Sequence, residues 1–139
     1  GKTDDALRQI EIAQRLDPQS VFAVVAHGNI LLYARQYALA AEQYRKVLAR
    51  DVGFIQAYTG LRRALELDGK FDEAMTVLGQ ERIYHAGSNE FHLRLSQAET
   101  LAAAGKREEA ETALREAFAL PDAGRLQKTS AYHISTVYA

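Results

Sequence analysis

The residues that could do chemistry here are four histidines and several clusters of carboxylates beside arginines. No two histidines stand four apart on a helix, the spacing that would place two imidazoles on one metal. His85 and His92 flank a loop, His27 falls on an apolar stripe and His133 lies near the end, so no metal site is expected. His27 reads instead as a hydrogen-bonded buried imidazole with a mild sensitivity to pH. Glu108, Glu109 and Glu111, with Arg107 and Arg115, read as a solvated outer face. Asp4 with Asp5, and Asp72 with Glu73, fall where helices begin, and the helix dipole accounts for acids there better than acid–base catalysis does. The sequence carries no phosphate loop, nucleophile elbow or dinucleotide fingerprint. The expectation is a chain that is not an enzyme and needs no cofactor.

Composition narrows the partners. Lys and Arg number 17 against 18 Asp and Glu, a net charge of -1, which gives no electrostatic reason to expect nucleic acid or an anionic membrane. Cysteine is absent, so disulfides and thiolate metal sites are excluded. The apolar runs break well short of the roughly 20 residues that span a bilayer, so no membrane insertion is expected. No signal peptide is visible and Gly1 reads as a boundary, which leaves the compartment open, cytoplasm slightly favoured.

The elements that must position any site are helices. An apolar content of 47% with only two prolines and nine glycines favours long helices, and apolar residues recur at helical spacing. Residues 1–18 read as a half-unit: Thr3 as N-cap, then a face of Ala6, Ile10, Ala13 and Leu16, ended at Asp17 and Pro18. Residues 21–51 read as a helix pair that breaks at Arg35 and Gln36, with Ser20 as cap. Its first helix is apolar nearly all round, as in the interior of a stack; alternatively Phe22, Val25 and Tyr33 meet an apolar partner. Further pairs read at 55–84, turning at Gly69, and at 89–120, turning at Gly105, with a half-unit at 126–139. Ser88 or Asn89 is the expected cap of the third pair.

The pairs repeat. Ala6, Ala40 and Ala74 are thirty-four residues apart and Ala110 follows thirty-six later; Ile10, Tyr44, Leu78 and Leu114 each stand four further on. With Gly1, Gly69 and Gly105 at the turns and Gly28, Ala98 and Ser135 at the first-helix crossing, this pattern resembles the tetratricopeptide repeat (TPR) family. The resemblance implies an all-α, right-handed superhelical solenoid of antiparallel helix pairs, about eight helices in a single array cut from a longer chain. Arg62, where a small residue belongs, departs from the pattern and is expected to run its stem along the contact and leave its charge in water. Glu81 departs where Ala is usual, Val52 and Ala86 replace the terminating proline, and His27 replaces a leucine. More loosely, the stretches LLYARQYALAAEQYRKVLA, GKREEA and AYHISTVYA are similar to C-terminal TPR tails of bacterial signalling proteins.

In this family first helices line a concave groove. The resemblance therefore implies a partner-binding set of Phe22, Val25, Asn29 and Tyr33 in the first pair and Gln56, Thr59, Arg63 and Glu66 in the second, with His92, Leu95 and Glu99 extending it. The expected function is a scaffold that binds a protein or peptide in that groove; alternatives are a regulatory tail of a bacterial signalling or transcription-regulating protein, and an RNA-binding helical repeat, which the balanced charge disfavours. The family's basic clamp for chaperone C-termini fits poorly, because Val25 and Gly60 stand where a lysine and an asparagine are needed. Unpaired stripes at the cut ends (Ile10, Ile134, Tyr138) lead to a further expectation of self-association.

Overall fold

The computed structural model describes residues 1–85, 90–121 and 123. All seven of the described elements are α-helices: α1 Lys2–Leu16, α2 Val21–Tyr33, α3 Tyr37–Arg50, α4 Ile55–Leu67, α5 Phe71–Tyr84, α6 Glu90–Ala103 and α7 Arg107–Phe118. The expected caps Ser88 and Asn89, and the expected eighth helix at 126–139, lie outside the described residues. The chain divides into two compact units, residues 1–70 and 71–139, so the boundary falls inside the pair read at 55–84.

One device ends the first helix of each pair. At the close of α2, α4 and α6 the backbone N–H groups of Gln36, Lys70 and Lys106 donate to Leu31, Leu65 and Leu101 O at 2.8–2.9 Å. The preceding N–H groups, of Arg35, Gly69 and Gly105, donate to Leu32, Glu66 and Ala102 O at 3.0–3.1 Å. This double bond pattern occupies the helix's orphan carbonyls and requires one residue in the left-handed region. Gly69 (φ 76°) and Gly105 (φ 77°) adopt it freely, whereas Arg35 (φ 61°) does so against its own Cβ. The turn is therefore a property of the repeat, kept even where glycine is missing.

Unit 1 is α1 to α4. Asp17 and Asp51 end α1 and α3 in the same way, each accepting at Oδ1 from the N–H two residues on, Gln19 at 3.1 Å and Gly53 at 2.9 Å. Asp51 thus turns the chain at the place where the sequence offers Val52 in place of proline. Ser20 caps α2 as expected, its Oγ accepting from the Ala23 N–H at 3.3 Å. Thr3 is not the cap of α1, because the helix already begins at Lys2 on Gly1. α3 packs against both α2 and α4, and α1 against α2. Ala40, Tyr44 and Val47 of α3 and Ala57, Leu61, Ala64 and Leu65 of α4 are all buried where these helices pack, and small residues of this kind let backbones approach. α1 buries no residue fully, and Leu16, read as part of its inner face, is 82% exposed.

In unit 2, α6 packs against α5 and α7. Its core gathers Phe91, Leu95, Ala98 and Leu101 of α6 with Ala110, Ala113, Leu114 and Ala117 of α7. Phe91 meets Phe118 edge-on at 5.8 Å between ring centroids. Arg94 joins the two helices on the surface, donating to Glu90 on its own helix at 2.8 Å and to Glu116 on α7 at 2.5 Å.

Candidate functional site: a cavity between two first helices

The site in unit 1 is built on Tyr44. Its ring is fully buried and lies against Gly28 of α2 and Gly60 of α4. A Cβ added at Gly28 would sit 2.8 Å from the ring, and one added at Gly60 closer still. Both glycines are thus places where a large side chain of α3 fills the volume that a side chain of α2 or α4 would need. The Tyr44 hydroxyl projects past them and donates to Asn29 Oδ1 at 2.7 Å. Burial, with a smaller contribution from Tyr33, pushes the Tyr44 phenol up to about 12, so it remains a donor at every ordinary pH.

Above this ring opens a cavity of about 380 Å³, within the size range of small-molecule pockets. Val25, Leu32 and the Tyr44 ring supply apolar wall, and the gap at Gly60 deepens it. Asn29 from α2 and Gln56, Thr59 and Arg63 from α4 supply polar groups. The structure therefore brings together Val25, Asn29, Gln56, Thr59 and Arg63 of the sequence-derived groove set. Three others fall elsewhere. Tyr33, 89% exposed, sits at the end of α2, and Phe22, 73% exposed, stacks edge-on against Phe54 at 5.6 Å. Glu66 is buried, not displayed, and accepts from Arg62 at 2.5 Å.

That ion pair corrects the reading of Arg62. Its side chain is only 4% exposed, so the charge is taken out of water together with its partner one helical turn on. Arg63 shares the same carboxylate at 3.5 Å, yet its side chain stays 40% exposed and reaches the cavity. In unit 2, Leu95 and Glu99 are buried and do not extend a groove; His92 is half-buried with its ring edge-on to Phe91. His27 is half-buried, and its Nδ1 is enclosed without a hydrogen-bond partner among the described residues. The full hydrogen bonding expected of that ring is thus not found.

Sequence reasoning missed Tyr44 and Leu32 as parts of the site, and met Gly60 only as a groove position lacking a clamp asparagine. Tyr44 reads as an ordinary large core residue, and only the coincidence of two glycines around one aromatic would have marked it. Among the described residues no group of three or more His, Asp or Glu side chains is placed to hold a metal. No described helix is long and apolar enough to cross a membrane.

No family model matches the chain, and no curated protein matches it. Among solved structures it is similar to a thermophilic TPR protein of Thermus thermophilus, with 22% identity and a TM-score of 0.68 over 99% of this chain and 78% of that one. The likeness establishes the fold: helix pairs packed as in tetratricopeptide repeats.

Proposed function

We propose that the chain is a non-enzymatic scaffold that binds a protein or peptide, and that the cavity on unit 1 is where a partner's side chain is seated. The observation that supports this most is the union of apolar wall and polar side chains in one concavity. Val25 and Leu32 give area to bury beside the Tyr44 ring, while Asn29, Gln56, Thr59 and Arg63 give orientation. Its floor is a buried ring held by core packing, so the cavity is formed before a partner arrives and little ordering is lost on binding. Arginine at the rim is among the residue types that dominate binding energy at interfaces.

The test is selection of peptides by display against the whole chain, followed by calorimetry with Arg63→Ala and Val25→Glu. Both substitutions lie on the cavity wall, so selected peptides lose about tenfold or more in affinity while the melting temperature holds. Peptides that bind both variants undiminished would place the partner site elsewhere.

A further inference from the structure

The three turns inside the helix pairs share one backbone hydrogen-bond pattern and differ in the side chains that stand on it. Two place a glycine in the left-handed position, Gly69 and Gly105. The third places Arg35 there, at φ 61°, where an L-residue's Cβ crowds the following carbonyl oxygen. Glycine would relieve that crowding and keep the turn. A strained residue at a position that glycine serves in both other turns points to a use for its side chain.

The surroundings of Arg35 agree. It is exposed, and among the described residues no hydrogen bond or ion pair holds its guanidinium. By contrast Lys70, beside Gly69, is paired with Asp68 at 3.2 Å, and Lys106, beside Gly105, leads into Glu108 and Glu109. Arg35 has no such neighbour in sequence. From Pro18 to Ala41 the chain carries no carboxylate, and Arg35 is the one formal charge. Tyr33, two residues earlier, is 89% exposed and its hydroxyl has no hydrogen-bond partner among the described residues. Gln36, one residue later, is exposed at the N-cap of α3 and makes no side-chain cap bond. Leu32, just before Tyr33, lines the cavity, so this turn adjoins it.

From this we infer that the α2–α3 turn is a second contact surface, outside the cavity, on which Arg35 and Tyr33 meet an acidic segment of a partner protein. The inference rests on the scaffold reading and extends it to a new surface. Arginine and tyrosine are the residue types that anchor interfaces, and here both are displayed and neither is engaged. A cation on a stretch without acids favours a partner of opposite charge. One cation is too few for a nucleic acid, whose binding rests on several phosphate contacts.

The experiment selects random peptides by display on the whole chain and measures them by calorimetry on Arg35→Gly, Arg35→Asn and Tyr33→Ser. The selected peptides are expected to be rich in Asp and Glu. Arg35→Gly relieves the strained turn, so its melting temperature rises by a few degrees while peptide affinity falls about tenfold. That loss shrinks as salt is raised, because the contact is exposed. Arg35→Asn, which tolerates the left-handed region and lacks the charge, loses affinity to the same extent. Tyr33→Ser loses several-fold in affinity at an unchanged melting temperature. Peptides without acidic enrichment, or bound undiminished by Arg35→Gly and Tyr33→Ser, would overturn the turn as a contact surface; if Arg63→Ala still weakens them, the cavity reading stands. An Arg35→Gly variant no more stable than the wild type would remove the strain on which the inference is built. A thymidine oligonucleotide bound more tightly than any selected peptide, and released by Arg35→Gly, would replace the protein partner by a nucleic acid. Failure of the chain to select any peptide would overturn this inference and the scaffold reading together.

Discussion

The helix pairs α2–α3 and α6–α7 carry the same rule of a small residue facing a large one, and they answer it differently. In unit 2 Ala98 and Leu114 join one closed apolar core. In unit 1 the corresponding residues are Gly28 and Tyr44, with Gly60 on the ring's other contact. A leucine ends where the core ends, whereas a tyrosine carries a hydroxyl beyond it, and here that hydroxyl reaches Asn29 at the cavity wall. The contrast repeats one position along. Where α6 has Ala98 and Ala102, four apart, α4 has Arg62 and Glu66, buried and paired. Shape alone is shared between the two units' crossings; unit 1 adds polar chemistry to it, and the added groups lie under or beside the cavity.

The largest expected effect comes from splitting the buried pair. Arg62→Ala leaves the Glu66 carboxylate enclosed without its nearest cation, at a cost of about 3 kcal/mol in chemical denaturation. Removing both charges, with Arg62→Ala and Glu66→Ala together, makes α4 like α6 and recovers a substantial part of that loss. A double variant no more stable than the single one would mean that the packing of the arginine stem, not the pairing, is what unit 1 requires.

A middle effect tests the glycines. Gly60→Ala drives a methyl into the Tyr44 ring, which is boxed in by core neighbours and cannot swing away, and overpacking of this kind costs about 1–3 kcal/mol. Tyr44→Leu made in the same chain imitates the leucine of unit 2 and relieves the clash, so the two substitutions are non-additive. Additive losses in a double-mutant cycle would sink the reading of Gly60 as the space Tyr44 occupies.

The two units also differ in how well they could be read from sequence. The helix bounds, the turns at Gly69 and Gly105 and the core alanines follow from periodicity and punctuation, because those properties are local. Arg35 in a left-handed turn was legible only from its register with those glycines. The cavity was half legible: α2 and α4 positions such as Val25, Asn29, Thr59 and Arg63 follow from helical spacing, but Glu66 on that same face is claimed by Arg62. Leu95 and Glu99 fail for a related reason, since α6 is enclosed where α4 is open. A helical face predicts direction, not what stands opposite, and neither Tyr44 nor Gly60 announces from one helix what it does between two.

The smallest effect sharpens the comparison on the other side of α2. His27 is half-buried between α1, which brings Glu11, and α3, which brings Lys46. Burial lowers its pKa below the ordinary 6.5, Lys46 lowers it a little further, and Glu11 acts in the opposite direction. The folded state therefore binds this proton less readily than the unfolded chain. The neutral ring's contribution is present in full above pH 6.5 and is lost as pH falls below that value toward the lowered folded pKa. An imidazole this exposed is well screened, so the loss is under about 1 kcal/mol. Denaturation midpoints of the wild type and His27→Gln should run parallel above pH 6.5 and converge or cross below it, because glutamine has no proton to take up. α1 buries nothing fully and rests on α2 beside this ring, so its amide protons should lose exchange protection first as the histidine charges. Parallel midpoints through the whole acidic range, with α1 no more labile than α4, would show that the enclosed Nδ1 takes its proton without cost to the packing around it.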